Sequence, residues 1–400
     1  MQIGIVGKPS SGKSTFFSSA TLIDVAMASY PFTTIEPNKG MGFVRVEDAG
    51  RFFNVISNPK HGFLIETKEG PIRYVQIELI DVAGLVPGAN EGKGLGNKFL
   101  NDLSQADALI HVVDASGTTD SEGKICERHD PCEDIIFLEN EIELWFLKII
   151  ENNWAKFGKS PEKEFRKRVN LLTQNLSGVK ILEPHIEKAL RELKLDEKMF
   201  DQWTEEDKKQ FAIKCRHYSK PIIIAANKCD LPNASENIKK MKEKFPEMLI
   251  VPCSAASELS LRKAAKQNIL KYYPGAKDFE ITGELNDKQK EGLETIRKNV
   301  LAKFGGTGIQ QCLDETILNV LKYIPVFPGG TKTLQDKEGR YLPDCFLMKV
   351  GSTALDFAYM LHTDMGDGFI RAIDVKTKQI IGKEHVLKYG DVIELIFKKP

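Results

Sequence analysis

Over roughly the first 130 residues, short apolar runs alternate with mixed segments, and each apolar run ends in a polar or glycine-rich turn. Runs at 3–6 and 74–80 have the length and composition of buried strands. The same alternation returns at 221–226 and 249–253, after a long interruption. Buried strands that alternate with helices are typical of α/β proteins. We therefore predict a mainly parallel sheet with helices on both faces, formed by two separated parts of the chain.

The interruption between these two parts has the period of helices. From residue 134 to about residue 217, large apolar residues recur at near-helical spacing within a segment dense in Glu, Lys and Asn. This predicts an inserted helical domain. Its tryptophans, Trp145, Trp154 and Trp203, are better explained as core residues than as platforms for stacked bases.

A basic cluster lies in the same helical segment. It comprises Lys159, Lys163, Arg166, Lys167 and Arg168. The cluster could contact RNA, but Glu162 and Glu164 interrupt it. A solvent-exposed helix face is therefore the favoured interpretation.

The C-terminal part has a third pattern, made of short strands and turns. Residues 353–361 predict a short helix capped by Ser352, and 389–397 predict a closing strand. His362 and Asp364 are better explained as a capped helix end than as a catalytic pair. The changes of pattern predict three domains: an α/β domain formed by 1–133 and 218–323, an inserted helical domain at 134–217, and a small α+β domain at 324–400.

Residues 7–14, GKPSSGKS, fit the phosphate-binding pattern GxxxxGK[ST] directly after the first predicted strand. Glycines allow the backbone N–H groups to form a nest around phosphate, and the helix that follows adds its positive dipole end. Lys13 can reach the β- and γ-phosphates, and Ser14 can bind Mg²⁺. The predicted phosphate-binding residues are Gly7, Lys8, Pro9, Ser10, Ser11, Gly12, Lys13, Ser14 and Thr15.

Two further segments predict a metal ligand and a sensor of the γ-phosphate. Asp81 ends the strand at 74–80 and would hold Mg²⁺ through its water shell, while Gly84 could bring a backbone N–H to the γ-phosphate. A hydroxyl in the segment between the phosphate loop and Asp81, with Thr34 favoured over Thr33, could close onto Mg²⁺. The predicted catalytic residues are Lys13, Thr34 and Gly84, and the predicted metal ligands are Ser14, Thr34 and Asp81.

The strand at 221–226 leads into Asn227-Lys228-Cys229-Asp230, which predicts recognition of guanine. An ionised Asp230 can accept two hydrogen bonds from the ring N–H and the amine of guanine, whereas adenine has no such pair of donors. Lys228 can pack its stem over the base, and Asn227 can connect this loop to the phosphate loop. After the strand at 249–253, the N–H groups of Ser254, Ala255 and Ala256 could meet the guanine carbonyl.

Taken together, these segments resemble the Obg-type GTPases of the translation-factor class, in the YchF-like branch with a C-terminal TGS domain. The resemblance rests on YPFTTIEPN at 30–38, on DVAGLVPGA at 81–89 with GKGLGN at 92–97, and on the C-terminal segment around 362–372. It implies a P-loop G domain with an inserted helical domain and a C-terminal β-grasp domain. It also implies a ribosome-associated or stress-linked GTPase.

Three positions bear on the mechanism that the resemblance implies. Leu85 stands where Ras-like proteins have a glutamine that orients the attacking water, so hydrolysis without a partner should be slow. Ser10 stands where many YchF proteins have an asparagine that is associated with potassium stimulation, which makes potassium activation doubtful. Asp230 is retained, whereas some YchF-like proteins lack it and prefer ATP; GTP is therefore the favoured substrate.

Composition agrees with a large cytoplasmic protein. The 400 residues are 42% hydrophobic, and 56 Lys and Arg balance 56 Asp and Glu. Nucleic-acid contacts would therefore come from local patches rather than from overall charge. No apolar run approaches the roughly 18 residues of a membrane span. Cys126, His129 and Cys132 form a cluster with some metal-site character, but no second pair of ligands is nearby and zinc is disfavoured.

The sequence thus predicts a GTP-binding switch that requires Mg²⁺, hydrolyses GTP slowly, and signals its state through the helical and TGS-like domains. Its predicted partners are GTP and GDP, together with a ribosome or RNA, and no membrane. Two alternatives stay open. One is a nucleotide-gated RNA- or ribosome-binding module in which hydrolysis is incidental, and the other is an ATPase of the same fold.

Overall fold

The computed structural model describes residues 1–21, 38–82, 96–158 and 160–398. Its strands are β1 (Gln2–Val6), β2 (Lys39–Glu47), β3 (Phe63–Thr67), β4 (Gly70–Asp81), β5 (Ala108–Asp114), β6 (Ile222–Asn227), β7 (Ile250–Pro252), β8 (Leu270–Lys271), β9 (Glu280–Ile281), β10 (Tyr323–Pro328), β11 (Phe346–Lys349), β12 (Phe369–Asp374), β13 (Gln379–Ile381) and β14 (Val392–Phe397). Its helices are α1 (Lys13–Thr21), α2 (Gly50–Phe53), α3 (Gly96–Gln105), α4 (Pro131–Phe157), α5 (Phe165–Leu176), α6 (Glu183–Glu192), α7 (Glu205–Ser219), α8 (Ala234–Lys244), α9 (Ala255–Lys266), α10 (Asp287–Ile296), α11 (Ala302–Phe304), α12 (Ile309–Asp314), α13 (Ala354–Leu361) and α14 (Thr363–Asp367). None of the helices in these ranges is both long and apolar enough to cross a membrane.

Contacts divide the described chain into two compact units. The first comprises 1–21, 38–40 and the described part of 78–312, and the second comprises 41–77 and 313–398. The chain passes from one unit to the other within β2 and β4. The predicted domain bounds, which assign 41–77 to the α/β domain, stay a prediction.

A mainly parallel sheet forms the centre of the first unit. Within this unit the last residues of β4 pair in parallel with β1, and the pairs β1–β5, β5–β6 and β6–β7 are also parallel. Every residue of β5 is buried, as expected of an inner strand covered on both faces. The parallel sheet predicted from the apolar runs is therefore confirmed.

The helical segment predicted at 134–217 is present as α4 to α7. Its apolar core is continuous with that of the sheet, because Leu138, Ile142 and Phe146 belong to the same buried cluster as Val6 and Ile80. In this way the segment adds one more packed layer to the first unit.

The tryptophans of this segment lie in its core. The side chains of Trp145 and Trp203 are buried, and the ring centroid of Trp154 lies 5.1 Å from that of Phe157 and 5.4 Å from that of Trp203. Aromatic pairs at such distances add to the stabilisation from burial. The interpretation of the tryptophans as core residues is confirmed.

The basic cluster differs from expectation at one position. Arg168 is buried and donates hydrogen bonds to the backbone carbonyls of Leu195, Asp196 and Lys198. The prediction of a solvent-exposed face is therefore wrong for Arg168, because the guanidinium satisfies a turn of the backbone. The described members Lys163, Arg166 and Lys167 are exposed, and Lys159 lies outside the described residues.

The second unit contains a sheet with the strand order β11-β10-β14-β12-β13. Strands β10 and β14 pair in parallel, and the other neighbours are antiparallel. Ala354 and Phe357 of α13 pack in the core of this unit with residues of the sheet. This is a β-grasp arrangement, as predicted. The residue that caps α13 is Thr353, whose hydroxyl accepts from the Asp356 N–H, rather than Ser352.

His362 and Asp364 are confirmed as a capped helix end. His362 ends α13 and begins α14, and its Nδ1 accepts from the backbone N–H of Asp364 at 3.2 Å.

In the same unit, buried Arg73 of β4 donates to the carbonyls of Leu342 and Pro343 at 2.6 and 2.5 Å. That contact joins residues 41–77 to the segment between β10 and β11.

Candidate nucleotide-binding site

The carboxyl ends of the parallel strands meet at one edge of the sheet in the first unit. The register places Asp81 of β4 beside Ile5 of β1, and Asp114 of β5 beside Asn227 of β6. Ligands of open α/β sheets bind at this edge. The fold therefore brings together side chains that lie far apart in the sequence.

The predicted phosphate loop connects β1 to α1 at this edge, and its last residues, Lys13, Ser14 and Thr15, form the first turn of α1. Ser10 and Gly12 have φ angles of 61° and 90°, in the left-handed region from which backbone nests for anions are built. A Cβ on Gly12 would lie 2.2 Å from Nδ2 of Asn227, and one on Gly7 would lie 2.5 Å from the carbonyl oxygen of Val112. Neighbouring segments therefore require both glycines.

Lys13 and Asp81 form an ion pair at the mouth of this loop. The side chains are 13% and 24% exposed, so a ligand can reach both groups. Asp81 and Ser14 offer a carboxylate and a hydroxyl oxygen, and oxygen donors of this kind suit Mg²⁺. The described residues therefore fit the predicted ion. Thr33, Thr34, Gly84 and Leu85 lie outside the described residues, and their roles stay predictions.

The side chain of Lys8 points into the protein. Its Nζ donates to the carbonyl oxygen of Thr119 at 2.7 Å and pairs with the carboxylate of Asp134 at 2.8 Å. Both members of this ion pair are about 5% exposed or less. A contribution of Lys8 to phosphate binding would therefore come from its backbone N–H, and not from its charge.

Asn227, the last residue of β6, connects three segments of the site. Its Nδ2 donates to the carbonyl oxygen of Ser11 in the phosphate loop at 2.9 Å, and its Oδ1 accepts from the N–H of Ala255 at 3.0 Å. The side chain is buried. The predicted connection between Asn227 and the phosphate loop is present, and the second bond extends it to the start of α9.

Residues 227–230 form a turn at the end of β6, which we name the base loop, and Lys228 is its second residue. It has a φ angle of 60°, and its Nζ donates to Oδ2 of Asp114 at 2.7 Å. Asp114 is fully buried and also accepts from Ser116 and from the hydroxyl of Thr119. Burial by itself would raise the pKa of Asp114, but the hydrogen bonds from Lys228, Ser116 and Thr119 outweigh it and lower the pKa below its usual value.

Asp114 was not among the predicted site residues. A signal for it exists, because an aspartate directly after an apolar run is the same pattern that identified Asp81. What the sequence does not contain is the pairing of β5 with β6, which places Asp114 beside Asn227.

Asp230 lies at the end of the base loop and is partly exposed, as a base-binding carboxylate must be. Two of the three predicted backbone donors, those of Ser254 and Ala255, already have partners within the protein. The N–H of Ser254 donates to the carbonyl of Thr307, and the N–H of Ala255 donates to Asn227. In this structure Ala256, in the first turn of α9, is therefore the best placed of the three to meet a base carbonyl.

The cysteine and histidine cluster does not form a metal site. Across the described ranges, no group of three or more His, Cys, Asp or Glu side chains is arranged to hold a metal ion. His129 instead forms a hydrogen bond with Asp134 at 2.8 Å.

Three family models match the chain. Residues 2–141 match a 50S ribosome-binding GTPase model, residues 225–329 match the G4 motif-containing domain of YGR210-like Obg-like GTPases, and residues 338–397 match the TGS domain. The first two contain the phosphate loop and the base loop described above. The third covers most of the C-terminal β-grasp sheet.

Relatives of known sequence or structure match over nearly the whole length. A GTP-binding protein of Methanocaldococcus jannaschii is 45% identical over 98% of both chains. The ribosome-binding ATPase YchF of Bacillus subtilis is 29% identical over 98% of both chains. The crystal structure of a GTP-binding protein from Pyrococcus horikoshii covers 100% of both chains with 35% identity and a TM-score of 0.78.

Proposed function

This chain belongs to the Obg-type, YchF-like GTP-binding proteins with a C-terminal TGS domain, and from that premise we propose that it is a GTPase selective for guanine nucleotides. The observation that carries this proposal is the double contact of Asn227. One buried amide joins the phosphate loop to the base loop and to the start of α9. This amide would therefore fix the position of the phosphate loop relative to the base loop.

Selectivity for guanine depends on Asp230. Its carboxylate can accept both donors on the edge of guanine, whereas adenine would leave it desolvated and unpaired. A site built around such a pair of hydrogen bonds discriminates strongly against a base that lacks them. This is the point on which a GTPase and an ATPase of the same fold differ.

Hydrolysis proceeds by positioning and by neutralisation of charge, without a general base from the protein. Lys13 can exchange its partner Asp81 for oxygens of the β- and γ-phosphates, because the pair lies at the open mouth of the loop. Mg²⁺, when bound near Asp81 and Ser14, supplies further neutralisation of the phosphate charge. Leu85 provides no amide to orient water, so we expect a rate of the order of 10⁻⁴ s⁻¹ or slower without a partner.

The test of guanine selectivity is calorimetric titration with GDP and ADP in the presence of Mg²⁺. We expect GDP to bind at least about a hundredfold more tightly than ADP. In Asp230→Asn the amide offers one acceptor and one donor, which suits xanthine, whose C2 carbonyl replaces the guanine amine. We expect this variant to lose GDP affinity and to gain affinity for xanthosine diphosphate.

Asp287→Asn is the matched control for that test, because Asp287 is an exposed residue of α10. It should bind GDP as the wild type does. Equal binding of ADP and GDP by the wild type would contradict the proposed guanine selectivity and leave only the phosphate-binding fold.

We further propose that the nucleotide state controls binding to a ribosome or RNA. The TGS match at 338–397 and the ribosome-binding relative support this partner class. The test compares co-sedimentation of the protein with purified ribosomes in GDP and in a non-hydrolysable GTP analogue. A clear difference supports a switch, and equal binding in both states contradicts it.

A further inference from the structure

Two lysine–aspartate pairs lie behind the nucleotide site, and Thr119 contacts both of them; the pairs are Lys228–Asp114 and Lys8–Asp134. The Thr119 hydroxyl donates to Oδ2 of Asp114 at 2.7 Å, and its carbonyl oxygen accepts from Nζ of Lys8 at 2.7 Å. Asp114 pairs with Lys228 of the base loop at 2.7 Å, and Lys8 belongs to the phosphate loop. A continuous chain of polar contacts therefore runs from one loop to the other.

This network of polar contacts lies in the interior of the protein. Asp114 and Lys8 are 0% and 5% exposed, and Thr119 is 5% exposed. Charges at such positions do not contribute much net stability, since the cost of desolvation offsets their attraction. Such charges do define a geometry, because any arrangement that separates the two partners leaves a charge buried and unpaired.

Lys228 is the residue of this network that faces the nucleotide site. Its side chain is 24% exposed, whereas that of its partner Asp114 is fully buried. The backbone of Lys228 has the left-handed φ angle of 60°, so the direction in which its stem leaves the turn is set locally. The ion pair with Asp114 fixes the position of the ammonium group of Lys228. The aliphatic stem between the backbone and the ammonium group is then available as a surface for a base.

We propose that Asp114 is a positioning residue for guanine binding, which holds Lys228 in place beside the base and, through Thr119, ties it to the phosphate loop. The proposal rests on the proposed function, since Lys228 belongs to the base loop. Because Asp114 is fully buried, it would act on the nucleotide through Lys228 and not by direct contact. Its effect therefore requires Lys228, and that dependence distinguishes positioning from a general structural role.

The test is a double-mutant cycle of Asp114→Asn and Lys228→Met, with GDP affinity measured by calorimetry on the full-length protein. Asp114→Asn keeps the shape of the side chain and removes the charge that holds the ammonium. We expect each single variant to weaken GDP binding about tenfold, and the double variant to be no weaker than Lys228→Met alone. In steady-state assays the KM for GTP should rise more than kcat falls.

Asp107→Asn is the matched control. Asp107 pairs with Lys180 at the same distance of 2.7 Å, away from the base loop. It should leave GDP affinity unchanged. Thr119→Val, which removes one donor to Asp114 and keeps the carbonyl for Lys8, should weaken GDP binding by a smaller factor than Asp114→Asn and serves if that variant does not fold.

Additive losses in the double variant, or full GDP affinity in Asp114→Asn, would overturn the positioning role. Failure of the proposed function has a different signature, because it appears in the wild type as equal affinity for ADP and GDP. In that case the same cycle measured with ADP still decides whether Asp114 acts through Lys228.

Discussion

The phosphate loop and the base loop lie at the same edge of the sheet, but they are built in different ways. The phosphate loop has a local signature, because its left-handed residues and glycines all lie within 7–12 of one strand-to-helix connection, although distant segments pack against two of these glycines. The base loop is assembled from distant segments, through buried Asn227 and Asp114. Phosphate binding is thus recognisable in a short motif, whereas base binding depends on side chains that only the fold brings together.

The largest effect should come from the phosphate side. Lys13→Met removes the ammonium that we propose meets the β- and γ-phosphates, and we expect hydrolysis of GTP to fall about 10²- to 10³-fold. Single-turnover assays at saturating GTP measure this loss. Lys124→Met, which removes an exposed ammonium with little energetic role, should hydrolyse GTP at the wild-type rate. Normal turnover by Lys13→Met would contradict the assignment of the phosphate loop.

Gly12→Ala tests the point at which the two loops meet. Its Cβ would lie 2.2 Å from Nδ2 of Asn227, on a backbone with φ of 90°. We expect a loss of about 1–3 kcal/mol in the free energy of unfolding, together with weaker GDP binding. Urea unfolding and calorimetry measure the two effects. The control is Ser10→Gly, which relieves the left-handed φ of 61° and should not destabilise the protein.

The smallest effect concerns pH and the base side. The pKa of Asp114 is lower in the folded protein than its ordinary value, although burial opposes this, because Lys228, Ser116 and Thr119 donate to it. The unfolded chain therefore takes up the proton first as pH falls. The stabilisation is complete above the ordinary carboxyl pKa and is lost as pH falls through the lower, native pKa.

Urea unfolding between pH 7 and pH 3 measures this dependence. We expect the stability of Asp114→Asn to fall less steeply with acidification than that of the wild type. Asp201→Asn, a change at an exposed residue, should follow the wild-type curve. A variant Asp114→Asn with the same slope as the wild type would show that the ion pair with Lys228 does not contribute.

Much of the fold was predictable because its signals are local. Buried strands such as β1 and β6 appear as apolar runs, and the helical period of α4 to α7 is visible without any structure. Caps were less certain, since Ser352 and Thr353 are adjacent and both can accept a backbone N–H. Only the backbone conformation identifies Thr353 as the cap.

The sequence by itself determined the phosphate-loop motif, the apolar runs of the parallel strands and the base-loop residues that we propose to read a base, because each of these follows from the order of neighbouring residues. The tertiary structure decided how they are used. It places the side chain of Lys8 in the interior and buries Arg168. It also gives the N–H groups of Ser254 and Ala255 partners within the protein, and it pairs Lys228 with Asp114. The physical reason is that a buried polar group must find a partner, and that partner often lies far along the chain.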